Sequence, residues 1–184
     1  MPRVAAADRT AVIDAARRRL LRGERIDMSS IADELGVGRA TVYRWFGDRH
    51  QLSSEAWWTL AYDTLEWARR KPRPPGAEGL VQAVIDMLDA SVAHSGMQSY
   101  VTDDPQRAAN VIIRTDSVMA RNYRKRLEEL ILEECPEAIG PDTTAGELAL
   151  ALARLSEAYC WSNILTGGEA DADETRRLFL RVLM

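Results

Sequence analysis

Two apolar spacings that meet at a glycine constrain this chain more than any other feature. In residues 28–47, MSSIADELGVGRATVYRWFG, Ile31, Ala32 and Leu35 share one face of a short helix, and Val42, Trp45 and Phe46 share one face of a second. Gly36 lies between them, where a sharp interhelical turn favours a residue at ease with positive φ. Val37 supplies an apolar plug under the turn, and Ala32 is small enough to let the second helix close in. The pattern is a helix-turn-helix. Burying Val42, Trp45 and Phe46 leaves Arg39, Ala40, Thr41, Tyr43 and Arg44 on the outward face.

The rest of the chain reads as all-α, because β-branched residues are isolated and no alternating run of useful length occurs. A first helix starts at Asp8 as N-cap and runs through Val12, Ala15, Ala16 and Leu20 to a stop at Gly23. Asp27, with Ser29 or Ser30 as alternative caps, starts the second, and Gly38 or Arg39 opens the third. Asp48 followed by Gln51 has the form of a capping box for a long fourth helix through Leu52, Ala56, Trp57, Leu60, Leu65 and Trp67. Prolines within 71–75 end it. Residues 79–95 form an amphipathic helix that Gly96 closes, 97–102 a short helical turn, and Asp104-Pro105 the start of another helix. Whether that helix breaks near 115–117 or continues to Cys135-Pro136 stays open. Residues 146–166 are helical and apolar on more than one face, as in a helix central to a core or shared with a partner. After Gly167-Gly168, Asp173 caps a last helix carrying Leu178, Phe179, Val182 and Leu183.

Charge divides the chain where the helix-turn-helix ends. Residues 1–50 hold ten Lys or Arg and seven Asp or Glu, whereas 51–184 hold fourteen and twenty-one, so a head of +3 precedes a body of −7. Such a chain meets phosphate with one end while the other repels it. The expected division is therefore 1–50 as a nucleic-acid-binding head and 51–184 as a helical body. With 46% apolar and 28% charged residues, the composition is that of an ordinary globular protein. No apolar run spans a bilayer and residues 1–10 carry no signal-peptide core, so a cytoplasmic protein away from membranes is expected. Cys135 and Cys160 lack metal-ligand spacing and are expected to be reduced.

The stretch IADELGVGRATVYRWFGDRHQL resembles the DNA-binding motif of the TetR family of bacterial transcriptional regulators. The corresponding residues are Ile31-Ala32, Gly36-Val37, Thr41, Tyr43, Phe46, Arg49 and Leu52. Two positions depart from the family pattern: Gly38 stands where a serine or threonine cap is usual, and Arg49 where lysine is commoner. The resemblance covers the first fifty-five or so residues in motif and the remainder in architecture. The body is similar to regulators of quorum-signal degradation genes. The resemblance implies a small-molecule effector bound among the middle helices and a homodimer made by the last two long helices. It implies a repressor released by an apolar or amphipathic effector.

In a helix-turn-helix the second helix enters the major groove of duplex DNA. Arg39 and Arg44 can fork onto guanine or bind phosphate, Ala40 and Thr41 can touch a thymine methyl, and Tyr43 can donate to a phosphate. Arg49, in the first turn of the fourth helix, lies where the dipole favours an anion. Gly38 completes the expected interface. For the ligand, Trp58, Tyr62, Met87, Tyr100, Met119, Tyr123, Tyr159 and Asn163, together with Trp57 and Trp161, offer an apolar lining with a few polar handles.

Catalytic readings find little material, and no cofactor is expected. His50 and His94 are solitary, Asp103-Asp104 reads as a solvated helix start, and Gly167-Gly168 lacks a phosphate-loop lysine. Arg121, Arg124, Lys125 and Arg126 followed by Glu128, Glu129 and Glu133 suit i, i+4 pairing on an exposed helix. The rival to a ligand-responsive regulator is an adaptor whose body binds a protein and holds no small molecule. A cavity in the body separates the two.

Overall fold

The computed structural model describes residues 8–166 and 172–184. Among these the chain forms ten α-helices and one 3₁₀ turn, with no strand. The first three are α1 (Arg9–Leu21), α2 (Met28–Leu35) and α3 (Arg39–Phe46). Asp8 caps α1 by accepting from the Ala11 N–H at 2.9 Å, and Asp27 caps α2 by accepting from Ser30 at 2.7 Å. Gly36 takes φ 65° between α2 and α3, the left-handed conformation the turn requires. Val12, Ala16, Leu20, Ile31, Ala32 and Val42 are sealed beneath these three helices.

α4 (Arg49–Arg69) follows Asp48, whose carboxylate accepts from the Gln51 N–H at 2.8 Å. The capping box is only half made. The Gln51 amide turns to Glu55 at 3.1 Å, and the Asp48 N–H donates to the Phe46 carbonyl at 2.8 Å. A nearby buried carboxylate with an acceptor to offer has captured the glutamine. Glu55 also receives Arg9 at 2.5 Å, which ties the start of α1 to α4.

The remaining helices are α5 (Gly76–Ala93), α6 (Ser95–Asp103), α7 (Pro105–Ile112), α8 (Val118–Glu134), α9 (Ala145–Thr166) and α10 (Ala172–Leu183), with the 3₁₀ turn at Pro136–Ala138. The chain does break at 115–117, where the Ser117 hydroxyl caps α8 through the Ala120 N–H at 3.1 Å. Gly96 does not close α5. That helix ends at His94, and Gly96 sits buried in the first turn of α6, where a Cβ would lie 2.4 Å from the Leu20 carbonyl oxygen and 2.6 Å from that of Leu21. Close approach of α1, rather than a helix stop, demands glycine there. Asp173 is the second residue of α10, not its cap, and Gly167-Gly168 lie outside the described residues.

Two cores result, and α4 belongs to both. Leu52, Ala56 and Trp57 join the helix-turn-helix core, which also takes in Tyr100 and Val101 of α6 and Val111 of α7. Leu65 and Ala68 join the body core of α5, α8, α9 and α10. Ser54 fastens the same helix to the body: its hydroxyl donates to the Val111 carbonyl and accepts from the Met119 N–H, each at 2.9 Å. Further along, Glu66 pairs with Arg69 and Arg126, and Glu134 with Arg69 and Arg73, all within 2.9 Å. Arg126 is thus drawn into a half-buried seam between α4 and α8, while Lys125 and Glu129 keep the expected exposed i, i+4 pairing at 3.9 Å. Among the described residues, no helix is long and apolar enough to cross a membrane.

Candidate nucleic-acid interface and ligand cavity

α3 turns Val42 and Phe46 into the core and leaves Ala40, Tyr43 and Arg44 exposed, Tyr43 at 48%. Trp45 and Thr41 are half-buried. Among the described residues Arg44 has no hydrogen-bonding or ionic partner. Arg39 reaches back to Asp33 at 2.8 Å, but both side chains are more than 60% exposed. A solvated pair of that kind contributes little and exchanges readily for another anion. Gly38 gives α3 no side-chain cap, and its carbonyl accepts from the Thr41 N–H at 2.8 Å and the Val42 N–H at 3.3 Å, beyond the N–H groups of Arg39 and Ala40. The first N–H groups of α3 therefore remain open at the positive end of its dipole. Arg49, exposed at the start of α4, stands on the neighbouring helix end. Gly38, Arg39, Ala40, Tyr43, Arg44 and Arg49 are all exposed.

A partly open cavity of about 240 Å³ lies among the body helices and the end of α1. α4 supplies Trp57, Leu60, Ala61 and Thr64 to its wall, and α8 supplies Met119, Ala120 and Tyr123. From α5 and its end come Met87, Leu88, Ala90, Ser91 and His94. Ser156, Glu157, Cys160 and Trp161 of α9 face them, with Leu21, Met97 and Ile112 closing the remainder. Burial pushes the Cys160 thiol up to about 12, with the charges of Asp89 and Glu157 adding to it. Glu157 itself is raised by burial, against the hydrogen bond and charge of Arg154.

Of the lining residues expected from sequence, Met87, Met119 and Tyr123 border this cavity, as do Trp57 and Trp161. Five others lie off it. Trp58 packs on the body core and tilts against the exposed Tyr62 with ring centres 5.5 Å apart. Tyr100 sits in the head core, edge-on to Trp57 at 5.1 Å. Tyr159 donates to Asp89 at 2.5 Å, and the Asn163 amide donates to the Tyr159 carbonyl at 3.1 Å. A turn of about 100° per residue carries Trp58 away from Trp57 and Tyr159 away from Cys160.

Thr64, Ser91, His94, Ser156 and Glu157 escaped sequence reasoning. The usable signal was Ser156-Glu157, a polar pair within a mostly apolar stretch of α9. His94 offered none, because its role depends on the turn it makes: its Nδ1 accepts from the Gly96 N–H at 3.0 Å and so caps α6. Among the described residues no three His, Cys, Asp or Glu gather as a metal site would.

Residues 75–184 match the family model described as Tetracyclin repressor-like, C-terminal domain. The fold is also that of a solved structure, the R. erythropolis transcriptional repressor QsdR from the TetR family, with a TM-score of 0.83. The two share 22% identity over 95% of this chain and 93% of that one. No curated protein matches the chain in sequence.

Proposed function

The chain belongs to the TetR family, whose members are transcriptional regulators and not enzymes, and from that premise we propose that it is a cytoplasmic, homodimeric repressor released from its operator by a small apolar or amphipathic effector. Residues 1–50 form its DNA-binding head and 51–184 its ligand-binding and dimerisation body. Gly38, Arg39, Ala40, Thr41, Tyr43 and Arg44 meet the major groove, and Arg49 a phosphate. The dimer forms through the last two long helices, where Leu150 and Leu165 of α9 and Leu178 of α10 are exposed.

One observation carries this reading: α4 begins at the DNA-facing Arg49 and, two to four turns later, walls the cavity with Trp57, Leu60, Ala61 and Thr64. A ligand that binds better when α4 is tilted shifts the dimer toward a state whose heads no longer match half-sites roughly 34–36 Å apart. Only differential affinity for the two states matters. The same cavity disfavours the adaptor reading, which expects a solid core.

Operator fragments selected by the full chain from a random DNA pool, labelled and followed by fluorescence anisotropy, test the proposal. Salt-dependent binding that a cavity ligand weakens is expected. Absence of duplex binding, or unchanged operator affinity with the cavity filled, overturns it.

A further inference from the structure

We propose that the cavity takes an apolar molecule bearing a protonated amine, with Glu157 as its counter-charge; the inference rests on the ligand-responsive reading above. The hydroxyl protons on the cavity wall are already spent within the protein. Thr64 donates its hydroxyl to the Leu60 carbonyl, Ser91 to that of Met87 and Ser156 to that of Leu152, each at 2.8 Å. Since Ser156 has one proton and has given it away, the 2.9 Å contact between Tyr123 and Ser156 has the tyrosine as donor. All four hydroxyls therefore offer a ligand only lone pairs.

Glu157 adds a carboxylate. Its Oε2 receives Arg154 at 2.6 Å, and Oε1 accepts no hydrogen bond from the described protein. Arg154 lies outside the cavity wall and is 42% exposed, so the one cation that pairs with Glu157 among the described residues is on the solvent side.

Donors are few by comparison. His94 spends Nδ1 as an acceptor from Gly96, which leaves Nε2 to donate. Trp161 has an indole N–H, and Cys160 a weak S–H. Trp57 brings its indole against the Tyr100 hydroxyl, which is not part of the cavity, and neither group completes a hydrogen bond.

An ammonium group supplies N–H donors to lone pairs and a positive charge to a desolvated carboxylate. Aromatic rings on the wall, Trp57, Tyr123 and Trp161, suit the same charge. A carboxylate would meet lone pairs and Glu157 together. A neutral carbonyl would find few donors among the described residues: the His94 Nε2–H, the Trp161 indole N–H and the weak Cys160 S–H.

The test uses three matched probes, 4-phenylbutylamine, 4-phenylbutanol and 4-phenylbutyrate, titrated into the full chain by calorimetry near neutral pH. The amine is expected to bind at least tenfold tighter than the alcohol, with the carboxylate weakest. Glu157→Gln, close in shape, is expected to weaken the amine at least tenfold and to leave the alcohol within about twofold. Alcohol or carboxylate binding as tightly as the amine overturns the amine preference while the effector reading stands. An amine preference that survives Glu157→Gln overturns the role of Glu157. Binding of none of the three overturns both this inference and the reading beneath it. Should Glu157→Gln fail to fold, the ranking on the unaltered chain still decides the ligand class.

Discussion

Replacing Gly96 with alanine drives a methyl group into the carbonyl ends of α1. Its Cβ would stand 2.4 Å from the Leu20 oxygen and 2.6 Å from the Leu21 oxygen, whereas ordinary contact begins near 3.4 Å. Both obstacles are backbone, so no side chain can swing aside, and α6 must part from α1 by about 1 Å. Alanine recovers about 1 kcal/mol of helix propensity at most. Forced overpacking costs about 1–3 kcal/mol and sits at the upper end when two backbone groups oppose it. The net loss is about 2 kcal/mol, which for a chain of this size lowers Tm by roughly 4–8 °C. Thermal unfolding followed by circular dichroism measures it, with Gly140→Ala as the control because no heavy atom lies within 4 Å of its added Cβ. A Gly96→Ala protein melting at or above the unaltered chain would refute the close-approach argument. Amide exchange should quicken in 20–23 and 95–98 of the variant, the two segments that share the contact.

Ser54→Ala strips a buried hydroxyl that serves both the Val111 carbonyl and the Met119 N–H, and should cost about 1–3 kcal/mol in urea unfolding; an unchanged midpoint would show the bridge to be idle. Arg44→Ala should weaken operator binding, by about 1–3 kcal/mol with relaxed sequence preference if the guanidinium reads a base, or uniformly with a shallower salt slope if it binds phosphate; unaltered affinity at every salt concentration removes it from the interface. Burial alone would raise Glu66 and Glu134, but hydrogen bonds from Arg126 and Arg69 to the first, and from Arg73 and Arg69 to the second, outweigh it and hold both below the usual carboxylate value of 4.5. Depressed folded-state pKa values stabilise above the unfolded value and lose that contribution as pH falls through the folded one. The gap in urea midpoint between the unaltered chain and Glu134→Gln should therefore narrow below pH 4.5, and a gap that widens on acidification contradicts the seam.

What could be read from sequence divides by range. Asp8, Asp27, Asp48 and Ser117 act on N–H groups three residues away, and all but Ser117, whose break stayed open, were legible as helix starts. Gly96 follows an amphipathic run and so imitates a helix stop, yet what demands glycine is a pair of carbonyls some seventy-five residues earlier. Long-range approach leaves no local trace. The same limit applies to the cavity. Helical periodicity assigns a residue to a face but cannot say where facing helices leave a gap, so Met87, Met119 and Tyr123 were found by residue type while Trp58 and Tyr159 were not separable from them. The hydroxyls were hidden for another reason: a serine or threonine donating to the carbonyl four residues back looks alike on a packed helix and on a cavity wall.

α4 is where these two scales meet, and under the proposed regulation its rigidity would give the cavity its leverage. From Arg49 to Trp57 is eight residues of continuous helix, about 12 Å. No glycine or proline interrupts the span 49–69, so a displacement at Trp57 or Thr64 has no hinge in which to dissipate before Arg49. Resistance comes instead from Ser54 and from the Glu55 link to Arg9, both between the cavity wall and the Arg49 end of the helix. Under the proposed regulation, weakening Ser54 alone should therefore lower effector concentrations needed for release as well as stability, because it removes a restraint on the segment that the proposed effector would move. A Ser54→Ala protein that is less stable yet released at unchanged effector occupancy would show that α4 is not the element through which the two sites communicate.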